Sequence, residues 1–260
     1  MPELPEVYGF QQYIEATCLD QVILEMDCTD PARLLRQPLA RFEEALIGKR
    51  FTHTTRIGKY LFVHTDGEFV LVMHFGMTGK PHYYDASAPR PRFGHIRLVF
   101  DSGYHFAFEN MRKFGWWDLT TSVDSYQLAH KLNVDARDLS RADFKAAVSS
   151  RKTAIKNVLM NQSITTGVGN WIADDVLYQA RVHPLRLPSS LSESELDLLY
   201  DKLQHVIDVA IDKDTQYTTF PDYFLIHNRK GREYCHHTGD CLEKIKVGGR
   251  TTYFSPNWQR

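Results

Sequence analysis

What this 260-residue chain lacks narrows its biology before any motif is read. No apolar run approaches the roughly 18 residues that a membrane span needs, and no charged-then-apolar segment opens the chain, so neither insertion nor export is indicated. Cysteine is scarce. Cys18, Cys28, Cys235 and Cys241 are too scattered for a secreted disulfide framework, which points to a reducing, intracellular setting. Net charge is nearly absent at −1, so the chain as a whole shows no pull toward a polyanion. Internal repeats and low-complexity segments are missing. So is any cluster of carboxylates suited to Mg²⁺, which speaks against a metal-dependent nuclease.

What is present is organised unevenly. A 43% hydrophobic content suits a globular core large enough for two domains. Between His227 and Arg260, seven Lys and Arg (Arg229, Lys230, Arg232, Lys244, Lys246, Arg250, Arg260) face three acids, leaving that tail +4 and the remainder −5. A basic tail is a modest pointer to phosphate, and also what a merely soluble terminus looks like. The first half reads as β: "VILEM", "FTHTT", "YLFVH", "FVLVMHF", "HIRLVF" and "YHFAF" are short, β-branched and aromatic, with "TDG" and "DSG" as turns. "DASAPRPRFG" reads as a loop. After about residue 125 the pattern becomes helical. Ser192 and Glu195 form a capping-box pair ahead of a stripe of Leu196, Leu199, Leu203, Ile207 and Ala210. "SRKTAIKNVLM" and "NWIADDVLYQA" read as two further helices, and the last thirty or so residues as a hairpin around "VGG". The expected class is α+β with two domains: an antiparallel β-sandwich over 1–125, then a helical domain over 126–226 carrying a hairpin over 227–260.

Several stretches could carry chemistry. In "MPELPEV", Pro5 suits the start of a helix whose face is Val7, Phe10 and Ile14, which leaves Pro2 unexplained. "GVGN" reads as a tight turn in which Gly167 and Gly169 take positive φ and Asn170 caps the next helix. It reads equally as an anion cradle of backbone amides, with Lys152 and Lys156 nearby. Lys59 in "RIGKYLF" fits a solvated strand edge, and Met77 in "HFGMTGK" and Phe114 in "ENMRKFGWW" fit a core, as well as any functional role.

In order and nearly end to end, these stretches resemble the formamidopyrimidine-DNA glycosylase / endonuclease VIII family of base-excision repair enzymes: PELPEV, the GKYL lysine, H-x-GMTG, the R-K-FG loop, K-x-AIK, GVGN-x-x-AD and "GGRTTYFSPNWQ". The resemblance implies a β-sandwich, a helix–two-turns–helix domain and a terminal finger. It also implies a bifunctional glycosylase/AP lyase acting as a monomer on double-stranded DNA with oxidised bases or abasic sites, in the cytoplasm or nucleoid of a bacterium or the nucleus of a eukaryote. By the same resemblance Pro2, freed by removal of Met1, is the nucleophile. Glu3 moves protons, Glu6 orients the terminus, and Lys59, Asn170 and Arg250 grip phosphates. His95 contacts DNA, and Met77, Arg112 and Phe114 fill the gap left by an extruded base. The alternative is a catalytically silent damage-binding protein of the same fold.

Two departures stand out. The family's finger usually carries two Cys pairs for zinc; here the first is stretched to Cys235 and Cys241, and Ser255 and Trp258 replace the second. His236 and His237 would put four donors within seven residues, with adjacent side chains diverging, so a zincless hairpin packed on Tyr253, Phe254 and Trp258 is expected, with no metal and no cofactor. The segment ahead of the finger is also short and lacks Gly-Gly before Thr218-Thr219. That leans toward the endonuclease VIII branch, whereas the Met77/Arg112/Phe114 trio leans toward the purine branch.

Overall fold

The computed structural model describes residues 2–229 and 233–260. The expected removal of Met1 and the charges of Lys230 and Arg232 fall outside the described residues. Contacts divide the chain into two units, Pro2 with Glu6–His130, and Glu3–Pro5 with Lys131–Arg260.

Alternating apolar side chains build the first unit into two four-stranded antiparallel sheets. One has the order β1 (Ile23–Cys28), β6 (Gly94–Phe100), β7 (Tyr104–Asn110), β5 (Gly79–Asp85); the other is β2 (Phe51–Ile57), β3 (Tyr60–Thr65), β4 (Val70–His74), β8 (Trp116–Thr120). Leu61, Val63, Leu71, Met73, Leu98, Phe106, Phe108 and Trp117 share one core with Val7 and Ile14 of helix α1 (Leu4–Thr17), and Phe10 packs on it. The period of two sends Phe62 and Val72 to the opposite face, where Tyr126 of α4 (Val123–Ala129) covers them. Short helices α2 (Pro31–Leu34) and α3 (Leu39–Leu46) also belong here.

The β-sandwich expectation holds for six strands. Two more were not read from sequence. β5 contains Pro81, which argues against a central strand; it is an edge strand, where a missing N–H is tolerated. β8, "WWDLT", is too short to show a period. Pro5 stands second in α1, not first.

The second unit is helical: α5 (Arg141–Ser149), α6 (Ile155–Leu159), α7 (Asn170–Gln179) and α8 (Glu193–Asp212). Its core joins Phe144, Ile155, Leu159, Ile172, Val176 and the α8 stripe of Leu196, Leu199, Leu203, Ile207 and Ala210. The capping box is formed: Ser192 Oγ accepts from Glu195 N, and Glu195 Oε2 accepts from Ser192 N. Arg186, bonded to the Glu195 carboxyl, is the main cause holding it down to about 2. "SRKTAIKNVLM" is helical only over α6, because Ala154 is extended at ψ 135 and the chain turns after α5. Strands β9 (Glu243–Val247) and β10 (Arg250–Phe254) form the hairpin, turning through Gly248 and Gly249 at φ +54 and +74.

Leu203 is wholly buried, so Leu203→Ala should destabilise the protein by about 2–5 kcal/mol and Ser192→Ala by only about 1 kcal/mol. Denaturant titration checks both, with an unchanged m-value expected.

Candidate active site

Helix α7 starts with amides that have no partner inside the helix, and a carboxylate from the N-terminal segment supplies one. Glu3 is buried, with Oε2 accepting from Gly169 N at 2.7 Å and from Ile172 N at 3.4 Å, and Oε1 accepting from Trp171 N at 3.0 Å. Helix-end amides and the helix dipole both favour an anion there. Leu4 N donates to Gly167 O at 3.1 Å, so two consecutive residues are tied to the same segment.

This corrects three readings of "GVGN". Gly167 takes positive φ at +106, but Gly169 lies at φ −130. Its need for glycine is steric: a Cβ there would sit 2.3 Å from Glu3 Cδ. Asn170 is the first helical residue, not the cap, and the cradled anion is Glu3 itself.

Asn170 Nδ2 donates to Thr251 O at 3.1 Å, which ties the start of α7 to the strand that begins at Arg250, an exposed residue. Glu3, Asn170 and Arg250 are thus brought to one end of α7. Lys156 is not available to an outside anion: it is fully buried, with Nζ 2.6 Å from Asp174 Oδ1 and 2.6 Å from Thr252 Oγ1. Arg229 reaches the other oxygen of Asp174 at 3.1 Å. Lys152 remains exposed.

In the first unit, Glu6 lies in the first turn of α1 and Pro2 is half-buried. Lys59 occupies the two-residue turn between β2 and β3 rather than a strand edge. Its charge acts on His74, which sequence reasoning missed although it opens "HFGMTGK". Burial, then Lys59 and Arg36, push the His74 imidazole down to about 4, and its ring stacks on Trp116 at 5.1 Å.

Met77, Arg112 and Phe114 come together. Gly76 lies against the Phe114–Gly115 backbone so closely that a Cβ would sit 2.3 Å from Gly115 N, and Thr78 Oγ1 accepts from Arg112 N at 3.1 Å. Phe114 and Met111 are 54% and 56% exposed, and the Arg112 guanidinium lies 5.1 Å from the Phe114 ring centre. Met111 carried no sequence signal beyond its place beside Arg112. His95 bonds Thr29 Oγ1 through Nδ1 at 2.9 Å, and neighbouring Asp30 pairs with Lys113 at 2.8 Å.

Comparison with known proteins matches residues 1–117 to the formamidopyrimidine-DNA glycosylase N-terminal domain and 132–222 to the H2TH domain of the same glycosylase. The chain is 31% identical over 275 residues to the formamidopyrimidine-DNA glycosylase of Streptococcus pneumoniae, covering 100% of this chain and 99% of that one. The chain belongs to the formamidopyrimidine-DNA glycosylase family. A family member from Arabidopsis thaliana is 31% identical over 280 residues, covering 100% of this chain and 71% of that one. A MutM structure in complex with DNA containing carbocyclic 8-oxo-G superposes with a TM-score of 0.91 at 29% identity, covering both chains fully. A Lactococcus lactis family structure bound non-covalently to abasic-site DNA gives 0.90 at 29% identity, covering 99% of each chain.

The finger's donors do not fit the family's zinc. Cys235 is buried with Sγ 3.1 Å from Tyr178 Oη, whereas Cys241 is exposed. The adjacent His236 and His237 rings stand at 89° to one another, and His237 stacks on Trp258 at 4.1 Å. Trp258 Nε1 donates to Tyr178 O at 3.0 Å, and Gln259 Nε2 donates to Val182 O at 3.0 Å.

Two measurements test this geometry. Gly169→Ala should cost about 2 kcal/mol or more in wild type, and less than about half that in a Glu3→Ala background, where the Cβ has room; a double-mutant cycle by denaturation reads the coupling. The second concerns His74. Between pH 6.5 and 4 the unfolded chain binds a proton that folded His74 refuses, so stability is full above about 6.5 and falls as pH drops toward 4, by about 3 kcal/mol in total. His74→Phe should flatten that slope.

Proposed function

We propose that this chain is a base-excision DNA glycosylase with AP lyase activity, acting as a monomer inside the cell on double-stranded DNA that carries oxidised bases or abasic sites. The observation that carries the reading is the full-length similarity to formamidopyrimidine-DNA glycosylases, joined to the fixing of Glu3 on α7 immediately after Pro2.

The chemistry starts from a terminal amine. With a pKa near 8, such an amine is roughly 10% neutral at pH 7, against well under ~0.1% for a free lysine. Once Met1 is removed, the Pro2 nitrogen attacks C1′; the N–C1′ bond forms as the glycosidic bond breaks, and the base departs with the electron pair and takes up a proton. Because proline is a secondary amine, the product is a cationic iminium once the sugar ring opens. Loss of a C2′ proton then expels the 3′ phosphate, and a second elimination expels the 5′ phosphate. Glu3 is proposed to shuttle these protons and Glu6 to orient the terminus. Lys59, Asn170 and Arg250 are proposed to hold phosphates, and His95 to contact DNA. Met77, Arg112 and Phe114 are proposed to occupy the space left by the extruded nucleotide, whose unstacking costs a few kcal/mol. The finger is proposed to be zincless, held by the Tyr178–His237–Trp258 stack.

The test is borohydride trapping on duplexes with 8-oxoguanine, formamidopyrimidine, 5-hydroxyuracil, a hydantoin or an abasic site, using protein shown by mass to lack Met1. A covalent adduct is expected, and Pro2→Gly should lose most of it, by about tenfold or more. No adduct with any lesion would favour the silent damage-binding alternative. Metal analysis of the same preparation is expected to find less than 0.1 zinc per chain on the order of a trace contaminant; stoichiometric zinc would overturn the zincless finger.

A further inference from the structure

At the opposite end of α7 from Asn170, about 13 Å along the helix, the second unit holds a second polar site. A cavity of about 340 Å³ is lined by Gln179, Arg181, Lys202, Tyr223, His237 and Trp258. Gln179 is 8% exposed, and among the described residues neither its Oε1 nor its Nε2 has a hydrogen-bond partner. A buried amide left unmet costs on the order of 1–3 kcal/mol, and a polar occupant of the cavity would meet it.

The charged side chains that line the cavity are both basic. Neither Arg181 nor Lys202 forms an ion pair with a carboxylate among the described residues, and no acid lines the cavity. The Arg181 guanidinium carbon lies 3.7 Å from the Trp258 ring centre, a cation–π contact that holds the group at the cavity. Trp258 is in turn stacked on His237. With Arg181 and His237 both packed on the indole, the cavity's remaining offer is hydrogen-bond donors. Burial, His236 and Arg181 hold His237 below its usual range.

We infer that this cavity binds the phosphate group of a small phosphate monoester. Arg181 and Lys202 supply positive charge for the phosphate anion, and Gln179 Nε2 adds a neutral donor. The unmet Gln179 Oε1 selects within the class: it takes the monoanion, the fraction of a phosphate monoester near neutral pH whose P–OH can donate to that oxygen, whereas sulfate, a carboxylate or a DNA phosphodiester has no proton to give. The volume exceeds inorganic phosphate and lies at the lower end of small-ligand pockets, about 300–1,000 Å³. This site is independent of the glycosylase reading.

The experiment titrates inorganic phosphate, a deoxynucleoside 5′-monophosphate and sulfate into the full chain at pH 6.5, reading heat of binding and the shift in Tm. One phosphate site per chain is expected, favoured over sulfate by about fivefold, with Lys202→Gln weakening phosphate by about tenfold, the cost of one charge-assisted bond. Gln179→Leu should erase the preference over sulfate. If the occupant is instead a DNA phosphodiester, Lys202→Gln will lower affinity for lesion duplex and reduce its salt slope by about one charge, and that result overturns the monoester assignment. No binding at 50 mM-scale phosphate, about the weakest range worth the name of a site, overturns the inference; so does binding that Lys202→Gln and Arg181→Gln both leave unchanged while duplex affinity also stays constant. Borohydride trapping by the Lys202→Gln protein separates this failure from a failure of the Pro2 chemistry.

Discussion

Burying a carboxylate is costly unless its oxygens are met, and the seat of Glu3 on α7 meets that cost with three backbone amides and a helix end. The arrangement depends on a glycine with no side chain at 169 and on Leu4 returning a backbone bond to Gly167. Its consequence is positional. The residue before Glu3 is Pro2, so an otherwise loose terminus emerges from a fixed anchor, next in sequence to a group able to move protons. The same helix end carries Asn170, which is joined through Thr251 to the strand that starts at Arg250. An N-terminal tripeptide, a glycine turn and a hairpin thus form one construction within the second unit.

The first unit solves a different problem. Two loops lie back to back where Gly76 meets the Phe114–Gly115 backbone, and they leave Phe114 and Met111 half out in solvent. Holding large apolar side chains in water has no folding benefit, and the loops gain nothing from it as a core. The proposed insertion between stacked bases would give Phe114 a partner, with the adjacent Arg112 offering donors to an orphaned base edge. The bond from Arg112 N to Thr78 keeps the two loops in step.

Much of this was legible in the residues. The α8 capping box and stripe, six strands and the "VGG" hairpin follow from local rules of capping, periodicity and turn chemistry, and the structure forms them. Pairings between distant segments were not legible. "GVGN" was read as a cradle for an outside anion because nothing local says that Glu3, more than 160 positions earlier, fills it. Lys156 was read as suiting the same outside anion for the same reason: Asp174 and Thr252, which bury it, lie on other elements. β5 hid behind Pro81, whose cost depends on being at an edge, and edges are a property of the sheet. His74 and Met111 were passed over because their exposure and charged surroundings exist only once the loops are folded.

The central claim is that the nitrogen of Pro2 forms the bond to the sugar. Proteolysis of the borohydride-reduced adduct, followed by tandem mass spectrometry, locates that bond directly. The account predicts the reduced sugar remnant on the N-terminal peptide that begins at Pro2, attached to its ring nitrogen. A remnant found instead on an internal lysine such as Lys59, with the Pro2 peptide recovered unmodified, would contradict it.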